Sequence, residues 1–104
     1  MPTKLKNTYK IKGYILDAEA IAASASSKTL AGHGATIPSG TTQILIIPET
    51  EILYWHPTGT PSSTFGHEIA PLEAFVLEHN QLKAKLIAAT GTPQWVLVYF
   101  GYPT

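Results

Sequence analysis

The sequence predicts an all-β domain, a β-sandwich or jelly-roll-like barrel of about six to eight short antiparallel strands. Three observations carry this expectation. Beyond residue 40, β-branched and aromatic residues come in short runs. Pro, Gly, Asn and Thr separate these runs at intervals of about ten residues, the spacing of strands joined by turns. No apolar set in the same region recurs at the spacing of an amphipathic helix. At 104 residues the chain has room for one domain around one core.

Taken in order, residues 1–16 read as a basic N-terminal arm and residues 17–104 as a single β-sandwich domain. The arm carries Lys4, Lys6, Lys10 and Lys12, with Tyr9, Ile11, Tyr14, Ile15 and Leu16 as its apolar area. Residues 17–36 are rich in Ala, Ser and Gly and admit two readings. Asp17 suits the cap of a short helix through Ala23, and the alternation Ile21, Ala23, Ala25 suits a weak strand. Gly32 and Gly34 flank His33 and mark a loop, and Pro38-Ser39-Gly40 marks a turn. Gln43 to Ile47 is a β-branched strand that Pro48 stops. Glu51 to His56 follows, ended by Pro57. Residues 57–66 hold two prolines and two glycines and read as a loop. Phe75 to Glu78, Ala84 to Ala88 and Trp95 to Phe100 complete the series, with turns at Asn80-Gln81 and Thr90-Gly91-Thr92-Pro93.

A strand with one wet face alternates apolar and polar residues. Ile44 to Ile47, Ile52 to Trp55 and Trp95 to Phe100 are apolar at successive positions instead. In a two-layer domain each sheet turns one face to the core, so these strands predict apolar outer faces that need cover. The N-terminal segment supplies part of it and a neighbouring subunit the rest, because large exposed apolar patches are rare on monomers. Even ~400 Å² of such cover contributes about 10 kcal/mol before entropic costs.

Charge excludes some partners. Charged residues are 13% of the chain, about half the usual share, and formal net charge is zero. All seven basic residues are lysines, so the bidentate guanidinium reader of phosphate and guanine is missing. Nucleic acid and anionic membrane are therefore not expected partners. The longest apolar run, Trp95 to Phe100, is far short of a membrane-spanning helix, and no signal peptide is read in the first residues. Charge is nevertheless segregated. The first twelve residues hold four lysines, and Glu49 to Glu78 contains five glutamates and no lysine.

Chemistry-bearing motifs are sparse. Cysteine is absent, which removes disulfides and thiolate sites. His67-Glu68 begins like a zinc-protease helix, but Pro71 stands where the second histidine belongs. His56, His67 and Glu68 bracket the 57–66 loop, yet no H-x-H pair of the cupin kind occurs. G-x-S-x-G and glycine-rich phosphate loops are missing. The expectation is no enzyme activity, no metal and no cofactor. Tyr54, Trp55, Trp95, Tyr99 and Tyr102 form an aromatic set that suits either core and interface anchors or stacking on sugar rings.

From residue 36 to residue 101 the chain resembles a group of small bacteriophage virion proteins. The matching pieces are Pro38-Ser39-Gly40, the strands Gln43 to Ile47 and Ile52 to His56, and the loop Thr58-Gly59-Thr60-Pro61 with Gly66. Glu73 to Leu77 and Val96-Leu97-Val98-Tyr99-Phe100-Gly101 follow in the same order. The resemblance implies a β-sandwich protein that decorates or cements a capsid, or sits on a tail or fibre. It implies the major capsid protein or other virion proteins as partners, made and assembled in a host bacterial cytoplasm. A homo-oligomer is expected, a trimer being the form that suits three-fold lattice sites. The residues expected to meet a partner are Lys4, Lys6, Lys10, Lys12, Tyr54, Trp55, Trp95, Tyr99 and Phe100. The alternative from another class is a carbohydrate-binding module, with Tyr54, Trp55 and the 57–66 loop as its contact.

Overall fold

The computed structural model describes residues 10–62 and 64–104. Among them run β1 (Tyr14–Ala22), β2 (Lys28–Thr29), β3 (Thr41–Pro48), β4 (Leu53–His56), β5 (His67–Ile69), β6 (Phe75–Leu77), β7 (Lys85–Ala88) and β8 (Gln94–Gly101). Short 3-10 turns occupy Ala31–His33 and His79–Gln81. Sheet I has the strand order β1-β8-β3-β6 and sheet II the order β2-β7-β4-β5, with antiparallel pairing throughout. The pairs β1–β8, β2–β7, β3–β6 and β4–β5 are nested, as in one long hairpin rolled on itself. That is jelly-roll topology, and it meets the fold class expected from the sequence.

The run from Thr41 to Pro48 forms an inner strand because its β-branched residues suit a pleated surface with strands paired on either side. It ends where Pro48 pairs with Trp95. β8 lies between β1 and β3, and its inward positions Trp95, Leu97 and Tyr99 are fully buried. Ile44 and Ile46 on β3, Phe75 and Leu77 on β6 and Ile21 on β1 extend that layer. Sheet II answers with Leu53, Trp55, Ile69, Leu86 and Ala88. The Trp55 ring from sheet II stacks on Phe75 from sheet I, centroids 5.5 Å apart, and so bridges the two layers. The accessible surface of 5713 Å² matches the ~5,700 Å² that a folded monomer of this mass exposes, so the core closes within one chain.

Residues 17–36 resolve into strand and turn. β1 pairs with β8 from Tyr14–Gly101 to Ala22–Gln94, with a bulge between Ile15 and Asp17. The strand therefore begins inside the segment read as an arm: Tyr14, Ile15 and Leu16 belong to the sheet, because their backbone has the end of β8 to pair with. Glu19, on the inward face of β1, is held by Thr36 N–H at 2.8 Å and by the Tyr99 hydroxyl. Burial and the Glu19 carboxylate together keep the Tyr99 phenol protonated far above its ordinary range.

His33 lies in a turn, as its flanking glycines suggested, but it is drawn into the core. Read as a loop residue between glycines, it is 7% exposed and packs on Trp95 with ring centroids 4.8 Å apart. At the far end of sheet I, three glycine backbones crowd together. A Cβ on Gly101 would overlap the Gly40 carbonyl, and one on Gly13 the Gly101 carbonyl, which explains glycine at these sites.

Because Trp95 is fully buried between β1, β3 and His33, Trp95→Ala leaves a large cavity in the core. The expected loss is about 3–5 kcal/mol in urea unfolding. A loss below about 1 kcal/mol would contradict this placement.

Candidate functional site

The outward faces of the two sheets are unlike. Residues paired across a sheet share a face, so the register fixes each face's composition. On sheet I one outward row is Ala18, Val98, Leu45 and Val76, and a second is Ala20, Val96 and Ile47. Ile15 pairs with Phe100 in a third row. Val96, Val98, Phe100, Leu45 and Ile47 are half-buried, Val76 is buried, and Ile15 is 66% exposed. On sheet II the outward rows are Tyr54, Glu68 and Ile87, then His56, Lys85 and Thr29. The Tyr54 hydroxyl donates to Glu68 Oε1 at 3.1 Å, which also holds the phenol protonated above its ordinary range. Sheet I thus presents mainly hydrocarbon outward, and sheet II presents Tyr54, Glu68, His56, Lys85 and Thr29 around a single apolar residue, Ile87.

A polar side chain near one end of the sheet I face organises the approach of the N-terminal segment. Gln43 pairs with Phe100 and is 3% exposed. Its Oε1 accepts Lys12 N–H at 2.8 Å, and its Nε2 donates to the Lys10 carbonyl at 2.6 Å and to Glu78 Oε2 at 3.0 Å. A side-chain amide here imitates a strand neighbour and fixes the main chain of residues 10–12 across the outer end of β3. Beside it, Tyr14 and Tyr102 meet edge to face at 6.1 Å, 66% and 53% exposed. An open recess of about 250 Å³ is lined by Lys12, Thr42, Gln43, Glu78, His79 and Tyr102.

The expected partner-contact residues separate into three sets. Lys10 and Lys12 are exposed where the chain enters sheet I, and Phe100 is half-buried on that sheet's outer face. Tyr54 faces outward on sheet II. Trp55 is 8% exposed, and Trp95 and Tyr99 are fully enclosed, so these three fill the sandwich and have no area to offer a partner. Their alternation with Tyr54, Val96, Val98 and Phe100 along the strands sends them inward. Lys4 and Lys6 lie outside the described residues.

At the other end of sheet II, Phe65 stacks on His56 at 5.2 Å and His56 lies 6.2 Å from His67. His67 covers the edge of Trp55 at 5.2 Å. His56 Nδ1 accepts Gly59 N–H at 2.6 Å and Thr58 N–H at 3.2 Å, which shapes the start of the 57–66 loop. Glu68 points to the opposite side of β5 and pairs with Tyr54, so it does not join the two imidazoles. Among the described residues no group of three or more His, Asp or Glu is placed to hold a metal ion.

Comparison with known proteins gives no relative: no family model, no curated protein and no solved structure matches the chain.

Gln43 is the residue that sequence reading passed over, because a glutamine opening a β-branched run looks like an ordinary strand end. Gln43→Ala strips the partners from the Lys12 N–H and the Lys10 carbonyl. We expect a stability loss of about 1–3 kcal/mol and faster tryptic cleavage after Lys10 and Lys12. Unchanged cleavage would show that the amide does not fix this segment.

Proposed function

We propose that the chain is a structural assembly subunit, a bacteriophage virion protein that decorates or cements a capsid lattice. The observation that carries this reading is the contrast between the two outer faces. A free-standing β-sandwich has no need of the continuous hydrocarbon surface formed by Leu45, Ile47, Val96, Val98 and Phe100 on sheet I. An assembly subunit gains its binding energy there, while sheet II stays wet. The resemblance to small virion proteins supplies the kind of assembly, with the major capsid protein and further copies of this chain as the partners.

The mechanism is mechanical. Each copy lays the sheet I face on its neighbours and adds buried apolar area that resists rupture of the lattice. The lysines of the first twelve residues engage acidic groups of the underlying surface, Lys10 and Lys12 from a main chain that Gln43 holds in place. The sugar-binding alternative needs Trp55 as an exposed platform, and that ring is turned into the core against Phe75.

Quantitative protein analysis of purified virus particles tests the proposal. Hundreds of copies per particle are expected of a lattice-bound subunit. A handful would move the chain to a tail or fibre, and none would overturn the virion assignment.

A further inference from the structure

Residues 23–36 form a flap over one end of the core, joined to the sandwich by few bonds. β2 is a two-residue strand at the edge of sheet II. The remaining ties are Ala23 N–H to the Pro93 carbonyl at 2.8 Å, Ala88 N–H to the Ser24 carbonyl at 3.0 Å and Thr36 N–H to Glu19. The flap buries its own Ala23, at 1% exposure, and Leu30, fully enclosed, in the core and covers the fully buried Trp95.

His33 ties this flap to both sheets. Its Nε2 lies 2.7 Å from the Leu86 carbonyl of β7 and its ring rests on Trp95 of β8, while its Nδ1 lies 3.3 Å from Ser24 N within the flap itself. These partners fix the tautomer. A carbonyl can only accept and a backbone N–H can only donate, so Nε2 carries the proton and Nδ1 is bare. A second proton would have to sit on Nδ1, facing the Ser24 N–H donor to donor, in a pocket closed by an indole. We propose that His33 is an acid-sensitive latch: proton uptake at Nδ1 releases residues 23–36 from the sandwich while the central strands of both sheets stay paired.

The surrounding charges agree with this. Lys28 on β2 faces the imidazole and opposes its charge. On β7 the group offered is the Leu86 carbonyl, and Lys85 lies on the other side of that strand. On β8 it is the neutral Trp95, and the inward carboxylate of β1, Glu19, is engaged by Thr36 and Tyr99. Burial, opposed by the Leu86 bond and reinforced by Lys28, lowers the His33 pKa from its ordinary 6.5. Below that value the opened flap binds more protons than the closed one. Closure is therefore fully favoured above pH 6.5 and weakens as the pH falls toward the lowered value, about tenfold per pH unit.

Amide hydrogen exchange of the full chain at pH 7.5 and pH 5.0, corrected for the intrinsic pH dependence of exchange, tests the latch. A loss of protection at pH 5.0 is expected in peptides covering 23–36, with β3 and β8 unchanged. His33→Gln keeps an amide donor and acceptor but cannot take up a proton, and should abolish the response. Should that variant fail to fold, Lys28→Gln serves: without the opposing cation the total loss of protection shrinks. Equal protection of 23–36 at both pH values, or a parallel loss across β3 and β8, would overturn the proposal. So would a full response in either variant.

Discussion

Trp95, Leu97 and Tyr99 stand in one inward row on β8, the strand flanked by β1 and β3. Around them Phe75, Trp55 and a shell of Leu and Ile side chains complete the two-layer interior. Two of the three bring polar atoms into that interior, and the local structure around them follows. The Tyr99 hydroxyl reaches Glu19, which also fixes Thr36 and thereby the return of the chain into β3. The Trp95 ring is covered by His33, whose nitrogens reach across to sheet II and back to Ser24. Polar side chains at the rim are thus spent on closing the sandwich around β8.

The same strand determines the outside. With its large residues at every second position turned inward, Val96, Val98 and Phe100 must face outward, and β3 sets Leu45 and Ile47 beside them. Sheet II escapes this because its central strand alternates Leu53 and Trp55 with Tyr54 and His56. Sharing one topology, the sheets differ in that the two inner strands of sheet I are both apolar outward, whereas in sheet II β4 alternates and only β7 runs apolar through Leu86, Ile87 and Ala88. Gln43 interrupts the hydrocarbon face at one end, where it receives the main chain of residues 10–12.

Much of this was legible in the sequence. β3 and β8 announce themselves through β-branched runs bounded by turn residues, and their lack of alternation foretold an apolar outer face on sheet I. The same reasoning overreached at β4, where Tyr54 turns outward to Glu68. β5 was missed because His67-Glu68-Ile69 is too short to show a period and follows a proline-rich loop. β1 was ambiguous because alanine suits helix and strand alike; pairing with β8 decides it. His33 between two glycines has the local signature of a loop, and only Leu86 and Trp95, distant in sequence, make it a core residue. Trp55, Trp95 and Tyr99 look like contact residues by type. Strand parity alone, counted from Phe100, separates inward from outward.

An assembly role built on the hydrocarbon face requires sheet I, and not sheet II, to meet the partner surface. Co-sedimentation of Val98→Glu and Tyr54→Glu with particles assembled without this chain measures that directly, provided both variants keep the wild-type melting profile. Loss of binding by Val98→Glu with retention by Tyr54→Glu is the expected result. Retention by Val98→Glu with loss by Tyr54→Glu would place the contact on sheet II and contradict the account.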